Sequence, residues 1–259
     1  MAEHRLLTAE REQRILELLE KSQVLSVADL SSAMQVSEAT IRRDLQSMHD
    51  RGLLQRIRGG ATRNSLSHPE PIFSDKEGQR TEAKERIAQA ALELVQDHDT
   101  IYLDGGSTAL VFARKLEARR DLTIVTNSLM AAASLMTSAH RLILTGGEFR
   151  ALSRTLVGPL SAPVIQGLNV DKAFMGTIGF SLPDGMTTTD PSEAFTKEQI
   201  MHRSGQVILL ADSSKLGRRS FARSGRLEDI HVLVTEAIPP QLKRELEQQG
   251  MRILVAGDA

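Results

Sequence analysis

The spacing of apolar positions along the chain changes near residue 82. Before that point apolar residues recur every three or four positions, which is the period of an amphipathic helix. Ser26 and Ser37 are each placed to cap the helix that follows, and residues 35 and 36 form a tight turn between those two helices. The pattern predicts three short helices, at 8–21, 26–34 and 37–48.

The stretch after the third predicted helix reads LLQRIRGGA, in which apolar and polar residues alternate before a pair of glycines. This alternation predicts a small β-hairpin, or wing. Residues 51–63 carry four arginines and no acid, whereas residues 1–35 carry four basic and six acidic side chains. Positive charge therefore gathers at the third helix and the hairpin.

Beyond residue 82 the chain contains apolar runs of the kind found in fully buried strands. The runs are TIYLDGG, LTIVTNS, RLILTGG, KAFMGTIGF, VILLADSS, HVLVTE and RILVAG, with helical periodicity between most of them, notably at 82–96, 108–117 and 239–249. Strands that are apolar on both faces and alternate with helices are typical of a mostly parallel sheet covered by helices on both sides. We therefore predict an α/β fold for this part.

The two parts are separated by TRNSLSHPEPIFSDKEGQRT, a polar stretch with two prolines and a glycine. We predict a helix-turn-helix domain at 1–61, a linker at 62–81 and an α/β domain at 82–259.

Composition narrows the classes of function. The 259 residues carry a formal net charge of −1, so nucleic-acid binding has to depend on a local patch. There is no cysteine, the start of the chain is too charged for a secretory signal, and no apolar run approaches the length of a membrane span. The histidines are scattered. We expect a cytoplasmic protein with no cofactor, no metal site and no membrane partner.

Arg42 and Arg43 lie inside the third predicted helix, in the motif IRRDL. Taken alone they favour a solvated face on which the arginines pair with Glu38 and Asp44. The three helices, the short turn and the hairpin without acids favour a winged helix-turn-helix instead, whose second helix enters the major groove of DNA. On that basis the candidate DNA-binding residues are Ser37, Glu38, Thr40, Arg42 and Arg43 in the helix, and Arg56 and Arg58 in the wing. The stretch SVADLSSAMQVSEATIRRDLQSMHDRGLLQRIRGGA resembles the DNA-binding domain of the DeoR family of bacterial transcriptional regulators.

Several of the strand-like runs end in small polar residues, at DGGST (104–108), TNS (126–128), TGGE (145–148) and DSSK (212–215). Ligands of parallel α/β sheets bind at the carboxyl ends of the strands. The DGGST loop leads directly into a helical stretch, and a helix N-terminus suits an anion. Each motif also has a simpler explanation, because Gly-Gly and TNS are common in turns and Lys215 suits a surface position. In DPSEAFTK, Asp190 can cap a helix while Glu193 completes a capping box and pairs with Lys197 on the surface.

Together these motifs resemble the C-terminal sensor domain of the same family, over nearly all of 81–257. The resemblance implies a fold related to sugar-phosphate isomerases and a phosphorylated sugar as effector. It implies that Gly106, Ser107 and Thr108 hold the phosphate, and that the pocket is lined by Asp104, Asn127, Gly147, Glu193, Lys197 and Lys215.

An isomerase that retains catalysis is the alternative. The stretch GTIGFSLPDGM lacks the acidic cluster of those enzymes, and the chain has no KGGG run, which favours binding without turnover. We therefore expect no catalytic residues. The sequence predicts a repressor of a carbohydrate catabolic operon that binds double-stranded operator DNA as a homo-oligomer, a dimer or a tetramer, under the control of a phosphorylated sugar.

Overall fold

The computed structural model of the chain describes residues 8–22, 24–50, 53–57, 59–62, 70 and 72–257. It divides into two compact units, Met1–Pro69 and Glu70–Ala259. Each unit has its own hydrophobic core.

The smaller unit contains three helices and a three-stranded sheet in its described part. The elements are α1 Thr8–Lys21, β1 Val24–Ser26, α2 Val27–Met34, α3 Glu38–Asp50, β2 Gln55–Ile57 and β3 Gly60–Thr62. The sheet has the order β1-β3-β2, and both pairs are antiparallel. Strands β2 and β3 form the hairpin that the alternating pattern predicts, and β1 adds a third strand.

The helices of this unit form where the apolar spacing places them. Ile41, Leu45 and Met48 are fully buried on one face of α3, against apolar side chains of α1 and α2. Ser26 caps α2 by accepting a hydrogen bond from the amide of Asp29, as its position predicts. Three helices followed by a hairpin are the layout of the predicted winged helix-turn-helix.

The larger unit is built on a seven-stranded sheet. Its helices are α4 Phe73–Gly78, α5 Thr81–Leu92, α6 Ser107–Lys115, α7 Leu129–Leu135, α8 Ala162–Gln166, α9 Pro191–Met201 and α10 Pro240–Gln248. Its strands are β4 Thr100–Leu103, β5 Thr123–Thr126, β6 Arg141–Leu144, β7 Glu148–Arg150, β8 Thr155–Val157, β9 Val170–Met175, β10 Gly179–Ser181, β11 Gly185–Thr188, β12 Ser204–Leu210, β13 Ala222–Gly225, β14 Val232–Thr235 and β15 Arg252–Val255. The main sheet has the order β15-β14-β12-β9-β4-β5-β6, and every pair in it is parallel.

Alternate residues of the main strands belong to two separate apolar cores. Ile101 and Leu103 of β4 pack with residues of α5, α6 and α7, whereas Tyr102 between them packs with residues of α8, α9 and α10. Helices thus cover both faces, and the predicted α/β class with a mostly parallel sheet is confirmed. The seven apolar runs of the sequence correspond to the seven strands of this sheet. Two small antiparallel sheets, β7-β8 and β10-β11-β13, are built on it.

The stretch predicted as a linker differs from the structure in its second half. Residues from Glu70 onward belong to the larger unit, and α4 lies inside the predicted range of 62–81. Phe73 of α4 is buried, its amide donates to the carbonyl of Leu152, and the guanidinium of Arg154 lies 5.3 Å from the centre of its ring. Packing against the rest of the larger unit therefore stabilises α4, a helix that local sequence signals do not predict. Among the described residues no helix is both long enough and apolar enough to cross a membrane.

Candidate nucleic-acid interface and anion pocket

A left-handed residue shapes the turn between α2 and α3. Gln35 has φ of 53°, a conformation that ends α2 and redirects the chain. Ser31 donates from its hydroxyl to the carbonyl of Val36 at 2.6 Å, which ties the end of α2 to the turn. The amide of Thr40 donates to the hydroxyl of Ser37 at 3.2 Å, so that Ser37 caps α3 as predicted. These bonds fix where α3 begins.

A buried ion pair joins α3 to α1. Arg11 donates to both carboxylate oxygens of Asp44, over 2.8 Å and 3.1 Å, and both side chains are buried. The motif IRRDL left open whether Asp44 pairs with the neighbouring arginines. In the structure Asp44 is directed inward to Arg11, so its charge is engaged on the buried side of the helix.

The outer face of α3 presents the candidate DNA-binding residues. Ser37, Glu38, Arg42 and Arg43 are exposed and Thr40 is half-buried. Arg42 pairs with Glu38 at 2.7 Å, and the two side chains are 59% and 48% exposed. A helical pair this exposed contributes little stability, so DNA can displace it at small cost. Arg43 has no side-chain partner among the residues that the structure describes.

One of the two predicted wing arginines, Arg56, lies among the described residues. Arg56 of β2 is exposed and donates to the side-chain oxygen of Gln46 in α3 at 2.5 Å. Arg58, the other predicted wing contact, lies outside the described residues. The smaller unit therefore carries exposed arginines on both α3 and the wing.

A cavity of about 110 Å³ lies in the larger unit at the carboxyl ends of the central strands. Strand β4 ends at Leu103, and the loop that follows leads through Gly105 and Gly106 into α6. Gly106 has φ of 127°, which side chains rarely allow, and a Cβ on Gly105 would lie 2.1 Å from the side chain of Thr155. Residues 106–109 line the cavity. The first amides of a helix have no helical acceptor, so this turn offers unpaired N–H groups and the positive end of the helix dipole.

Five cationic side chains line the same cavity: Lys197, which is described below, and Lys76, Arg80, Lys84 and Lys215. Burial lowers the pKa of Lys84 and of Lys215, and neighbouring cations lower both further. Lys76 lowers the pKa of both lysines and Lys215 lowers that of Lys84, whereas Asp212 opposes the shift in each, so several positive charges lie close together here. An anion bound among them would relieve this repulsion.

Acidic and hydroxyl groups hold Arg80 in place. Arg80 lies 3.2 Å from Glu236 and 3.7 Å from Asp212, and it donates to the hydroxyl of Ser213 at 3.1 Å. Its φ of 52° is left-handed, at the position preceding α5. The cation is therefore positioned by contacts with the loop after β12 and the end of β14.

A buried ion pair forms the floor beside the cavity. Lys197 of α9 donates to the carboxylate of Asp104 and, over 3.0 Å, to the carbonyl of Gly176. The amide of Gly176 donates to the same carboxylate oxygen of Asp104 at 2.9 Å. Burial alone would lower the pKa of Lys197, but Asp104 and Glu193 outweigh it and raise that pKa. Lys197 is thus a charged ammonium in a buried position.

Glu193 lies one helical turn before Lys197, with its carboxylate 3.8 Å from the ammonium and bonded by the hydroxyl of Thr188 at 2.7 Å. Burial raises the pKa of Glu193, and the nearby carboxylates of Glu70 and Asp104 add to the rise while Lys197 and Arg150 oppose it. Both side chains of the Glu193–Lys197 pair are buried, so the surface ion pair considered from the sequence is wrong. Asp190 caps α9 as predicted, but the carboxylate of Glu193 bonds Thr188 rather than completing a capping box.

Most of the predicted effector residues come together here. The cavity is lined by Gly106, Ser107, Thr108, Glu193, Lys197 and Lys215, and Asp104 lies next to it, bonded to Lys197. Asn127 and Gly147 are not among its lining residues. The side-chain oxygen of Asn127 lies beside Gly105, and its amide group is buried without a hydrogen-bond partner in the described part of the chain. Gly147 has φ of 127° and packs against the backbone of Val157, as a turn residue does.

Sequence reasoning missed the cations that precede β4. Lys76, Arg80 and Lys84 follow one another at intervals of four residues, which is helical spacing for one face. That spacing was the available signal, although the helix is interrupted at Gln79 and Arg80.

Family models match both units of the chain. The DeoR-like helix-turn-helix domain matches residues 11–66, and the DeoR C-terminal sensor domain matches residues 79–237.

Curated relatives cover nearly the whole chain. The HTH-type transcriptional regulator GlpR of Haloferax volcanii is 36% identical over 96% of this chain and 98% of its own. The transcriptional repressor AccR of Agrobacterium fabrum is 34% identical over 92% and 96%, and the glycerol-3-phosphate regulon repressor of Escherichia coli is 33% identical over 89% and 92%.

Solved structures show a more distant likeness. Ribose 5-phosphate isomerase A of Methanocaldococcus jannaschii has 21% identity and a TM-score of 0.41 over 53% of this chain and 55% of that one. eIF2B beta of Chaetomium thermophilum has 14% identity and a TM-score of 0.44 over 89% and 86%. A likeness of this size carries no argument about ligand or activity.

Proposed function

The chain belongs to the DeoR family and is a DNA-binding transcriptional regulator, and from this premise we propose how its two units act. The smaller unit binds operator DNA through α3 and the wing, and the larger unit binds a phosphorylated sugar or polyol. The protein is a repressor of a carbohydrate or glycerol-phosphate operon. The bound effector lowers its affinity for the operator and thereby relieves repression. The names of relatives such as the glycerol-3-phosphate regulon repressor support this direction.

One observation carries the effector proposal: the N-terminus of α6 and five cationic side chains converge on one cavity. A phosphate dianion takes up N–H groups at a helix start and offsets crowded ammonium charges. The residues proposed to hold it are Gly106, Ser107 and Thr108, with Lys215 beside them. The adjoining floor of Asp104, Lys197 and Glu193 offers charged groups that hydrogen-bond hydroxyls. A small phosphorylated polyol matches both parts.

The DNA proposal depends on the exposed face of α3. Arg43 is free to fork to guanine or to clamp a phosphate, and Glu38 can accept from cytosine once Arg42 is released. Ser37 and Thr40 lie at the start of the helix, where recognition helices contact bases. Arg56 and Arg58 in the wing supply backbone or minor-groove contacts. Operator half-sites mirror protein symmetry, so we propose that a homo-oligomer, a dimer or a tetramer, binds the DNA.

The larger unit binds its effector without turning it over. Isomerisation needs a general base free to reach a carbon-bound hydrogen. The carboxylate of Asp104 is held by Lys197 and the amide of Gly176, and that of Glu193 is held by Thr188. These bonds favour a rigid recognition site over a mobile acid–base pair.

A thermal melt against a panel of compounds tests the effector proposal. The panel contains sugar phosphates, glycerol 3-phosphate and their unphosphorylated parents. A ligand at about 100 times its dissociation constant adds about 2.7 kcal/mol of stability, which raises the midpoint by several degrees. We expect a shift from one phosphorylated compound and none from its parent.

Two lysine variants make this test specific to the site. Lys215→Gln should lose the shift, whereas Lys115→Gln, at the far end of α6 and paired with the exposed Glu85, should keep it. The active compound is then tested for release of a duplex selected from a random library, and by NMR for isomerisation. A shift that survives in Lys215→Gln would remove the phosphate from this cavity, and turnover of the compound would favour the isomerase alternative.

A further inference from the structure

Glu70 is the first residue of the larger unit, directly after the residue at which the smaller unit ends. Its carboxylate is almost fully buried and lines the effector cavity. One oxygen accepts from Lys76 at 2.7 Å, and the other accepts from Arg150 at 2.7 Å and from the hydroxyl of Thr189. Burial opposes ionisation, but Lys76, Arg150 and Thr189 outweigh it and lower the pKa of Glu70 to about 2. The carboxylate is therefore charged at neutral pH.

Lys76 is presented to Glu70 from α4, and α4 is itself held by a cavity residue. The ammonium of Lys84 donates to the carbonyl of Lys76 and, at 3.5 Å, to that of Glu77, in the last turn of α4. Lys84 also lines the cavity. The position of α4 thus depends on two lysines, Lys76 and Lys84, that an anion in the cavity would attract.

Lys76 has two possible counterions. In the structure its counterion is the carboxylate of Glu70. A phosphate at the N-terminus of α6 enters a cavity that Glu70 and Lys76 both line, where it attracts the lysine and repels the carboxylate. In a partly buried site, one ammonium cannot fully neutralise two anions at the same time.

We propose that Glu70 competes with the bound phosphate for Lys76, so that filling the cavity loosens the chain where it leaves the DNA-binding unit. This inference rests on the proposed phosphate site and adds its regulation. On the other side, Arg150 bridges Glu70 to Glu193, at 2.7 Å and 3.7 Å, and thereby links the start of the unit to the floor of the site. Linkage is reciprocal, so a change that frees Lys76 from Glu70 must tighten phosphate binding.

The experiment uses the full chain and inorganic phosphate as the probe, at neutral pH. Dissociation constants are measured by calorimetry for the wild type, Glu70→Gln and Asp99→Asn. Asp99 is the matched control, because it also pairs with a lysine, Lys172 at 2.6 Å, but before the start of β4 and away from the cavity. Glu70→Gln should bind phosphate about tenfold more tightly, since one nearby negative charge is gone. Asp99→Asn should match the wild type.

Hydrogen exchange of residues 72–78 gives the second measurement. The amides of Asp75 and Lys76 both donate to the carbonyl of Ile72, so they report on the first turn of α4. Phosphate should make these amides exchange faster in the wild type and in Asp99→Asn. This acceleration should be absent in Glu70→Gln. If Glu70→Gln does not fold, Lys76→Gln must remove the change and Lys115→Gln must keep it.

The outcomes separate this inference from the proposed function. If the wild type and Glu70→Gln bind phosphate equally and show the same exchange response, the phosphate site is retained. The competition is then refuted, and Glu70 has only a structural role. No phosphate binding to any of the three proteins removes the site and the competition together.

Discussion

Replacing Lys197 with methionine should strongly destabilise the larger unit. The side chain is only 2% exposed, and its ammonium is the counterion of Asp104 and the neighbour of Glu193. Methionine preserves much of the length and removes the charge, so two buried carboxylates lose their shared cation. Breaking a buried pair by removing one partner costs about 3–5 kcal/mol, because an uncompensated charge stays behind.

The effect on the melting temperature can be worked out from the size of the unit. For a unit of 150–250 residues, 1 kcal/mol corresponds to about 2–4 °C, so we expect the midpoint to fall by about 6–20 °C. The chain has one tyrosine and no tryptophan. That tyrosine, Tyr102, is fully buried in the larger unit. Tyrosine fluorescence of the full chain therefore follows the unfolding of this unit.

Two comparisons decide whether the ion pair is the cause. Lys115→Met removes a half-buried lysine whose partner, Glu85, is exposed, and should cost less than about 1 kcal/mol. Asp104→Asn combined with Lys197→Met should be more stable than the sum of the single changes predicts, with a coupling of about 1–3 kcal/mol. Single changes that add without coupling, or a loss below about 1 kcal/mol for Lys197→Met, would refute the reasoning.

Three further predictions concern both units. Asp44→Asn should lower the stability of the smaller unit by about 3 kcal/mol, because Arg11 loses its buried counterion, and far-UV circular dichroism melts would show an unchanged midpoint if the pair were dispensable. Arg43→Ala should weaken binding to a selected operator by about 1–3 kcal/mol relative to a scrambled duplex, and an equal loss on both duplexes would make Arg43 a phosphate contact. The depressed pKa of Glu70, about 2, implies stability that is present above its unfolded value and lost as pH falls from about 4.5 to 2. This contribution is about 3 kcal/mol, so the acid limb of tyrosine-detected unfolding should be shallower in Glu70→Gln, and identical limbs would contradict it.

The main sheet could be predicted because its strands carry their own signal. A strand buried on both faces must be apolar at every position, and all seven such runs of the sequence became strands of one parallel sheet. Helix α4 carried no comparable signal. It has six residues, too few for periodicity to show, and its stability comes from tertiary contacts such as the burial of Phe73. The polar composition of its surroundings is that of a linker, so Lys76 and Glu70 escaped notice.

The pair of Glu193 and Lys197 shows why spacing alone did not locate the floor of the site. An interval of four residues places two side chains on one face of a helix, but it does not tell whether that face is exposed or buried. The difference lies outside α9, which is enclosed by the main sheet and the small sheet of β10, β11 and β13. Ala194, Ile200 and Met201 are buried as well, so α9 has no apolar stripe opposite a polar one. A charged residue in a helix enclosed in this way needs a partner from another element, and for Lys197 that partner is Asp104, 93 residues earlier in the chain. Only the fold brings the two together.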